Sequence, residues 1–169
     1  MIAATYYGSA KVGLHLAFAT MNVTAVWPPA GIALAALVLW GPSVWPGVAI
    51  GAFLANAWTG VPLVTALGIT CGNTLEAVVG AFLLRRVAAF RPSMERVRDV
   101  LALVALAAVV STAIAATIGV TSLAAGDRLG GETFGSAWRL WWLGDMGGDL
   151  LVAPFLMAFA AYWPFKRIP

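Results

Sequence analysis

Residues 97–125 read VRDVLALVALAAVVSTAIAATIGVTSLAA, and no charged side chain follows Asp99 in this stretch. About 20 apolar residues in a helix cross the hydrocarbon core of a bilayer. Backbone groups inside lipid must find their hydrogen bonds within the protein, and one continuous run achieves this as a helix. This stretch therefore predicts a transmembrane helix.

The composition of the whole chain agrees with that prediction. Of its 169 residues, 62% are hydrophobic and 10% are charged, whereas soluble domains have roughly 45–50% apolar and about 25% charged residues. We therefore predict an all-α, polytopic helical membrane protein. An ordinary water-soluble domain and a disordered chain are excluded.

Apolar runs along the chain predict about six transmembrane helices. Two of the runs are short, and prolines break them, so they fit either two short tilted spans or one broken re-entrant element; we favour two spans. The runs are Tyr6–Val26, Pro28–Trp40, Val44–Trp58, Val61–Leu84, Val97–Ala125 and Trp138–Trp163.

Clustered basic residues indicate the orientation of the chain in the membrane. Five arginines lie between residues 85 and 98, and Lys166 and Arg167 stand near the C-terminus. Cytoplasmic loops are enriched in Lys and Arg, so we expect both segments, and the C-terminus, in the cytoplasm and residues 126–136 outside. Six spans place Met1 inside as well, whereas five would place it outside.

Several kinds of chemistry find no support in the sequence. One cysteine, Cys71, and one histidine, His15, build neither a disulfide framework nor a Cys- or His-based metal site. Motifs of serine hydrolases, zinc proteases and phosphate-binding loops are missing, and the basic residues form no stripe suited to nucleic acid. We predict no catalytic residue, no metal, no cofactor and no nucleic-acid partner.

Three carboxylates stand out because they lie inside apolar runs, namely Glu76, Asp145 and Asp149. A charge at the bilayer centre costs about 2.5–3.5 kcal/mol on insertion scales, so these groups must be paired, protonated or facing water. Arg139 is the nearest basic residue within a run and is a candidate partner for Glu76 or Asp145. For Glu76 and Asp149, pairing that only fixes helix packing is an equal alternative to a role in ligand binding.

Helical spacing groups these acids with other side chains. Asn73 lies three residues before Glu76, on the same face of its helix. Trp142, Asp145 and Asp149 fall together on one face of the last run. Each of these two faces is a candidate wall of a binding pocket.

Small residues at four-residue spacing predict close contacts between helices. Gly144 and Gly148 form one such pair, and Gly47, Gly51 and Ala55 form a similar row. Spacing of this kind lets helix backbones approach closely in membranes.

Paired prolines follow a tryptophan at Trp27-Pro28-Pro29. Proline cannot continue a helix, yet it is favoured at the first helical position. We expect an external loop and then a helix from about Pro29, whose N-terminus directs backbone donors at whatever lies outside. An equal alternative is that the prolines only fix the angle of that helix.

Taken in order, these motifs resemble the membrane-associated sensor domain MASE1. The resemblance covers about residues 15–165. The matching segments are Trp27-Pro28-Pro29-Ala30-Gly31, Trp45-Pro46-Gly47 with Gly51 and Asn56, Gly72-Asn73-Thr74-Leu75-Glu76 with Arg85-Arg86, and Trp141-Trp142-Leu143-Gly144-Asp145-Met146-Gly147-Gly148 with Pro154.

The resemblance implies a multi-pass sensory module of the bacterial inner membrane. Such modules commonly precede histidine kinase, diguanylate cyclase or phosphodiesterase domains. We therefore expect residues 1–169 to form one MASE1-like sensory domain. Family members commonly have about eight spans and this chain supplies at most six, so we expect either further spans and an output domain beyond it or a short stand-alone form.

Our first hypothesis is a sensory input module that perceives a small ligand or a membrane partner and signals to a cytoplasmic output domain, in cis or in trans. The lipid bilayer is its environment, and a homodimer is compatible with the hypothesis. The expected pocket lies between the Trp27 motif, the Asn73 face and the Trp141 motif. Its candidate ligand-binding residues are Trp27, Pro28, Pro29, Asn73, Glu76, Trp141, Trp142, Asp145 and Asp149.

Two alternatives come from other functional classes. A small six-helix transport or substrate-capture subunit would carry bound substrate and would work with an energising partner. A structural assembly subunit would use its small-residue rows to bind other helices and would have no pocket.

Overall fold

A computed structural model describes residues 1–19 and 26–162, and throughout these ranges the regular elements are helices, with no strand. The prediction of an all-α chain is confirmed. Asn22, Trp163 and the Lys166-Arg167 pair, on which parts of the predicted spans and orientation depend, lie outside the described residues. The helices are α1 (Ile2–Ala19), α2 (Pro28–Trp40), α3 (Trp45–Ala57), α4 (Leu63–Val87), α5 (Val97–Ala125) and α6 (Phe134–Tyr162).

Three of these helices, α4, α5 and α6, are long and apolar enough to cross a membrane, and α2 is a shorter apolar helix. The two short predicted runs form two separate helices. Gly41 joins them in the left-handed region of φ (+93°), and Pro42 starts a short 3₁₀ turn that leads into α3. Because Gly41 adopts this backbone conformation without strain, the chain turns sharply between α2 and α3.

α2 lies at the centre of the bundle. It begins at Pro28, close to the predicted start, with both prolines in its first turn, where a backbone N–H is dispensable. It packs against α1, α4 and α6, and nine of its 13 residues are buried. The most buried side chains are small or aliphatic, such as Ala33, Leu34 and Leu37, so α2 fits closely among its neighbours.

Small residues bring the helices together as the sequence predicts. A Cβ atom at Gly51 of α3 would lie 2.7 Å from Cβ of Tyr6 and 2.9 Å from the carbonyl oxygen of Ala3, both in α1. A Cβ atom at Gly148 of α6 would meet the carbonyl group of Trp27, with its carbon 3.0 Å away. Both glycines therefore allow contacts that no larger residue permits.

The loop between α4 and α5 is organised around Asp99, which is fully buried although it belongs to the first turn of α5. Arg96 donates two hydrogen bonds to its carboxylate (2.6 and 2.8 Å), and the backbone N–H of Arg91 donates a third (3.2 Å). The hydrogen bonds to Asp99 raise the pKa of Arg96, so Arg96 stays charged. The same loop carries the arginine cluster at one end of the bundle.

Candidate functional site

A cavity of about 350 Å³ lies at the end of the bundle opposite the arginine-rich loop. Residues of α1, α3, α4, α5 and α6 contribute to its walls, together with Trp27 before α2 and the loops between α3 and α4 and between α5 and α6. Its size falls within the range of small-molecule sites, about 300–1,000 Å³. The apolar side chains on its walls include Leu14, Val61, Ile69, Leu123 and Leu140.

Four of the nine predicted ligand-binding residues line this cavity: Trp27, Asn73, Trp141 and Asp145. They come from the three motifs that were expected to bound a pocket, although these motifs are far apart in the sequence. Asn73 and Asp145 are both buried, with 7% and 2% of their surface exposed. One oxygen of each, Oδ1 of Asn73 and Oδ2 of Asp145, has no hydrogen-bond partner.

The three carboxylates predicted from the apolar runs cluster inside the bundle, and each is at least 97% buried. The carboxyl groups of Glu76 and Asp145 lie within hydrogen-bonding reach of each other, and Asp149 lies close enough to Glu76 to interact electrostatically. Glu76 and Asp149 do not line the cavity but lie behind Asp145. Across the described residues, no set of three acids, histidines or cysteines is arranged to hold a metal ion.

Arg139 does not partner these acids, contrary to the expectation. It is exposed at the outer surface of α6, and the ion pair of the described residues joins Arg96 and Asp99 instead. Arg139 precedes Asp145 by six residues, about one residue less than two full turns of the helix. Its side chain therefore leaves α6 in a different direction from that of Asp145. The cluster therefore stands without a basic partner in the described part of the chain.

Tyr6 connects the walls of the cavity, although it was not among the residues predicted for the site. Its side chain is 1% exposed. Asn73 donates a hydrogen bond of 3.1 Å to its hydroxyl group, and the indole N–H of Trp27 lies within hydrogen-bonding reach of the same oxygen. A tyrosine near the start of a weak apolar run resembles an interfacial aromatic residue, so no local signal distinguished it.

The backbone joins the Trp27 and Trp141 motifs directly. The N–H of Trp27 donates a 2.7 Å hydrogen bond to the carbonyl oxygen of Gly144. Pro28 and Pro29 follow in α2 and do not line the cavity. The backbone N–H of Trp27, which precedes them, is directed at α6 and not at the outside. This agrees with the alternative that the prolines fix the helix angle.

Of the two adjacent tryptophans, only Trp141 faces the cavity. Its indole N–H lies within hydrogen-bonding reach of Asp145, and its ring packs against Gly119 of α5. Trp142 instead donates a 3.1 Å hydrogen bond to the carbonyl oxygen of Val109 and stacks on Trp138, with ring centroids 5.5 Å apart. Trp142 therefore secures the contact between α5 and α6.

Comparisons with known proteins add an independent finding. A family model described as MASE1 matches residues 1–166. The chain is 25% identical over 146 residues to a curated protein of Escherichia coli (strain K12), described as a probable diguanylate cyclase, DgcE. The match covers 84% of this chain and 13% of that protein, so the chain spans a small part of the length of this relative. No solved structure shows a significant match.

Proposed function

Because this chain belongs to the MASE1 family of membrane sensor domains, we propose that it perceives a small molecule in the cavity and passes the signal to a cytoplasmic output domain. The proposal places the protein in a bacterial inner membrane, with the cavity outside and the arginine-rich loop inside. Kinase or cyclase activity would belong to the output domain and not to these helices.

The cavity is the observation that supports ligand perception. Its walls unite three sequence motifs, and two buried polar oxygens, Asn73 Oδ1 and Asp145 Oδ2, lack a partner within the protein. A buried polar group without a hydrogen bond is unfavourable by about 1–3 kcal/mol. If the two side chains turn toward the cavity, a ligand that donates to these oxygens recovers part of that energy, which favours a binding role over a purely structural one.

The helices also offer a route for the signal. α4 and α6 carry Asn73 and Asp145, and both extend from the cavity end of the bundle to the opposite end. Ligand contacts on these two helices would favour one arrangement of their inner ends over another. The relative from E. coli is described as a probable diguanylate cyclase, which supports a diguanylate cyclase as the type of output domain.

Filling the cavity tests this proposal without changing any polar group. Ala137 lines the cavity, and Ala137→Phe should occupy it. The variant is expressed as full-length protein in its own host, and cyclic di-GMP level or kinase activity is measured. Growth conditions that change this output in the wild type should leave it unchanged in the variant. Ala161→Phe, on an exposed position at the other end of the same helix, is the matched control.

Asp145→Asn tests the polar part of the site. We expect the variant to insert and reach wild-type levels but to lose the response. A normal response from both Ala137→Phe and Asp145→Asn would refute the proposal.

A transport or substrate-capture subunit is the second candidate, because short proline-initiated helices around a central site are also found in transporters. α2 is such a helix and lies beside the cavity. Two measurements distinguish this candidate from the sensory module: native mass spectrometry of the purified full-length protein, which detects bound substrate, and the output assay. Bound substrate together with an output that Ala137→Phe leaves unchanged would favour capture.

A further inference from the structure

We infer that the ligand of this cavity is an organic cation, namely a compound with an apolar body and one amine or ammonium group. The inference rests on the proposed ligand-binding role of the cavity and specifies the chemistry of its ligand. Three observations support it: the character of the walls, the type of polar atoms that the lining residues leave unpartnered, and the acidic residues at and behind the cavity.

The walls suit an apolar body beside a positive charge. The surface is mostly apolar, and the indole rings of Trp27 and Trp141 supply its aromatic part. The face of a tryptophan ring attracts a nearby cation, more strongly where water is excluded. The cavity volume of about 350 Å³ leaves room for a body of one or two rings.

The unpartnered polar atoms at the cavity are hydrogen-bond acceptors. Asp145 and Asn73 line the cavity, and Oδ2 of Asp145 and Oδ1 of Asn73 are buried without a partner. A ligand reaches these oxygens when the two side chains turn toward the cavity. The amide nitrogen of Asn73 already donates to Tyr6. A ligand that only accepts hydrogen bonds would leave both oxygens unsatisfied, whereas an ammonium group has several donors for them.

Charge near the cavity also favours a cation. Glu132 at the rim and Asp145 in the interior are acidic, and the described lining residues include no lysine, arginine or histidine. Glu76 and Asp145 can hydrogen-bond to each other only if at least one of them is protonated, and Asp149 lies close by. Burial disfavours the charged form of each of these acids, and a cation in the cavity would stabilise the ionised form of Asp145.

The test compares ligands that share one body and differ only in their polar group. The full-length protein is reconstituted in lipid nanodiscs and titrated with 2-phenylethylamine, 2-phenylethanol and phenylacetate, and then with the corresponding phenylbutyl compounds. Binding is followed by tryptophan fluorescence, because Trp27 and Trp141 line the cavity, and by thermal unfolding. We expect the amines to bind at least about tenfold more tightly than the alcohols, a difference of about 1.4 kcal/mol, and the carboxylates to bind least.

Substitution of the acid checks that the preference for amines arises at this site. Asp145→Asn should lower amine affinity about tenfold and leave alcohol affinity unchanged. Asp127→Asn makes the same change at an exposed acid at the same end of the bundle and should have no effect. If Asp145→Asn fails to fold, the wild-type comparison of amine with alcohol still decides the question, and Glu132→Gln at the exposed rim should weaken amine binding several-fold.

Two results would overturn the inference. Equal binding of amine, alcohol and carboxylate would show that the cavity selects an apolar body regardless of the charge of the polar group. The proposed sensory function would not be affected by this result. Preferential binding of carboxylates, or no binding of either amine, would reject the cationic ligand. The proposed function itself fails only in the separate output assay with Ala137→Phe and Asp145→Asn.

Discussion

The backbone N–H of Trp27 and the carbonyl oxygen of Gly144 form a 2.7 Å hydrogen bond between the start of α2 and the middle of α6. Gly148, one turn further along α6, lies against the carbonyl group of Trp27. The start of α2 is therefore fixed to α6 by backbone atoms on both sides. The site depends on this contact, because Trp27 and Asp145 are adjacent to it.

A methyl group at Gly148 should disrupt this contact. Because the nearest atoms to a new Cβ belong to the backbone of Trp27, they cannot move aside as a side chain would. We expect Gly148→Ala to destabilise the protein by about 1–3 kcal/mol, the usual range for overpacking. Thermal unfolding in a mild detergent measures the effect.

Gly135→Ala is the matched control on the same helix, because a Cβ there meets nothing within 4 Å. Alanine generally stabilises a helix relative to glycine by roughly 0.5–1 kcal/mol. Gly135→Ala should therefore be neutral or slightly stabilising. Equal unfolding temperatures for Gly148→Ala and the wild type would contradict the close contact.

Removal of one hydroxyl group should loosen the cavity. Tyr6→Phe deprives Asn73 of its hydrogen-bond acceptor and leaves that buried amide donor unsatisfied. We expect a loss of about 1–3 kcal/mol in the free energy of unfolding and a shift in tryptophan emission as Trp27 changes its surroundings. Tyr7→Phe removes the same group from the neighbouring, partly buried tyrosine and should cause neither change.

The arginine-rich loop should become sensitive to protease when Asp99 loses its charge. Both carboxylate oxygens of Asp99 accept hydrogen bonds from Arg91 or Arg96. In Asp99→Asn an NH₂ group replaces one of these oxygens, so it would face the N–H donors that the oxygen now binds. Hydrogen bonds to charged groups contribute about 1.5–3 kcal/mol, which corresponds to about a tenfold or greater rise in loop opening. Trypsin should then cleave the loop faster than in wild type, with Asp127→Asn as the unaffected control.

The orientation of the bundle predicts opposite labelling of its two ends. In a background with Cys71→Ala, a cysteine at position 128 should react with a membrane-impermeant maleimide from outside the cell. A cysteine introduced by Ser93→Cys should react only in inside-out vesicles. The reverse pattern would place the cavity in the cytoplasm and would overturn the proposed direction of signalling.

Sequence reasoning identified the helices and the three motifs of the site because lipid imposes strict requirements on length and polarity. Which side of a helix packs inward is harder to predict, because apolar residues are tolerated both against lipid and against protein. Trp141 and Trp142 lie four and three residues before Asp145, and both spacings fit one face. Only the contacts of Trp142 with Val109 and of Trp141 with Gly119 decide between them.

Two further differences arose from tertiary contacts. Arg139 is the nearest cation to Asp145 in the sequence, yet Glu76 of another helix reaches that carboxyl group. Tyr6 became part of the site because α1 packs beside α2 and α3, and neither its spacing nor its neighbours in the sequence indicated this. Whether a polar group in a membrane helix is paired depends on the helix across from it, which a single sequence does not specify.

The buried position of α2 has a consequence for biosynthesis. Thirteen helical residues extend only about 20 Å, which is less than the roughly 30 Å of hydrocarbon. Most of its surface contacts protein, and its partners α4 and α6 are translated after it. The ribosome therefore delivers the central helix while α1 is the one neighbour already made, and the final placement of α2 depends on the later synthesis of α4 and α6.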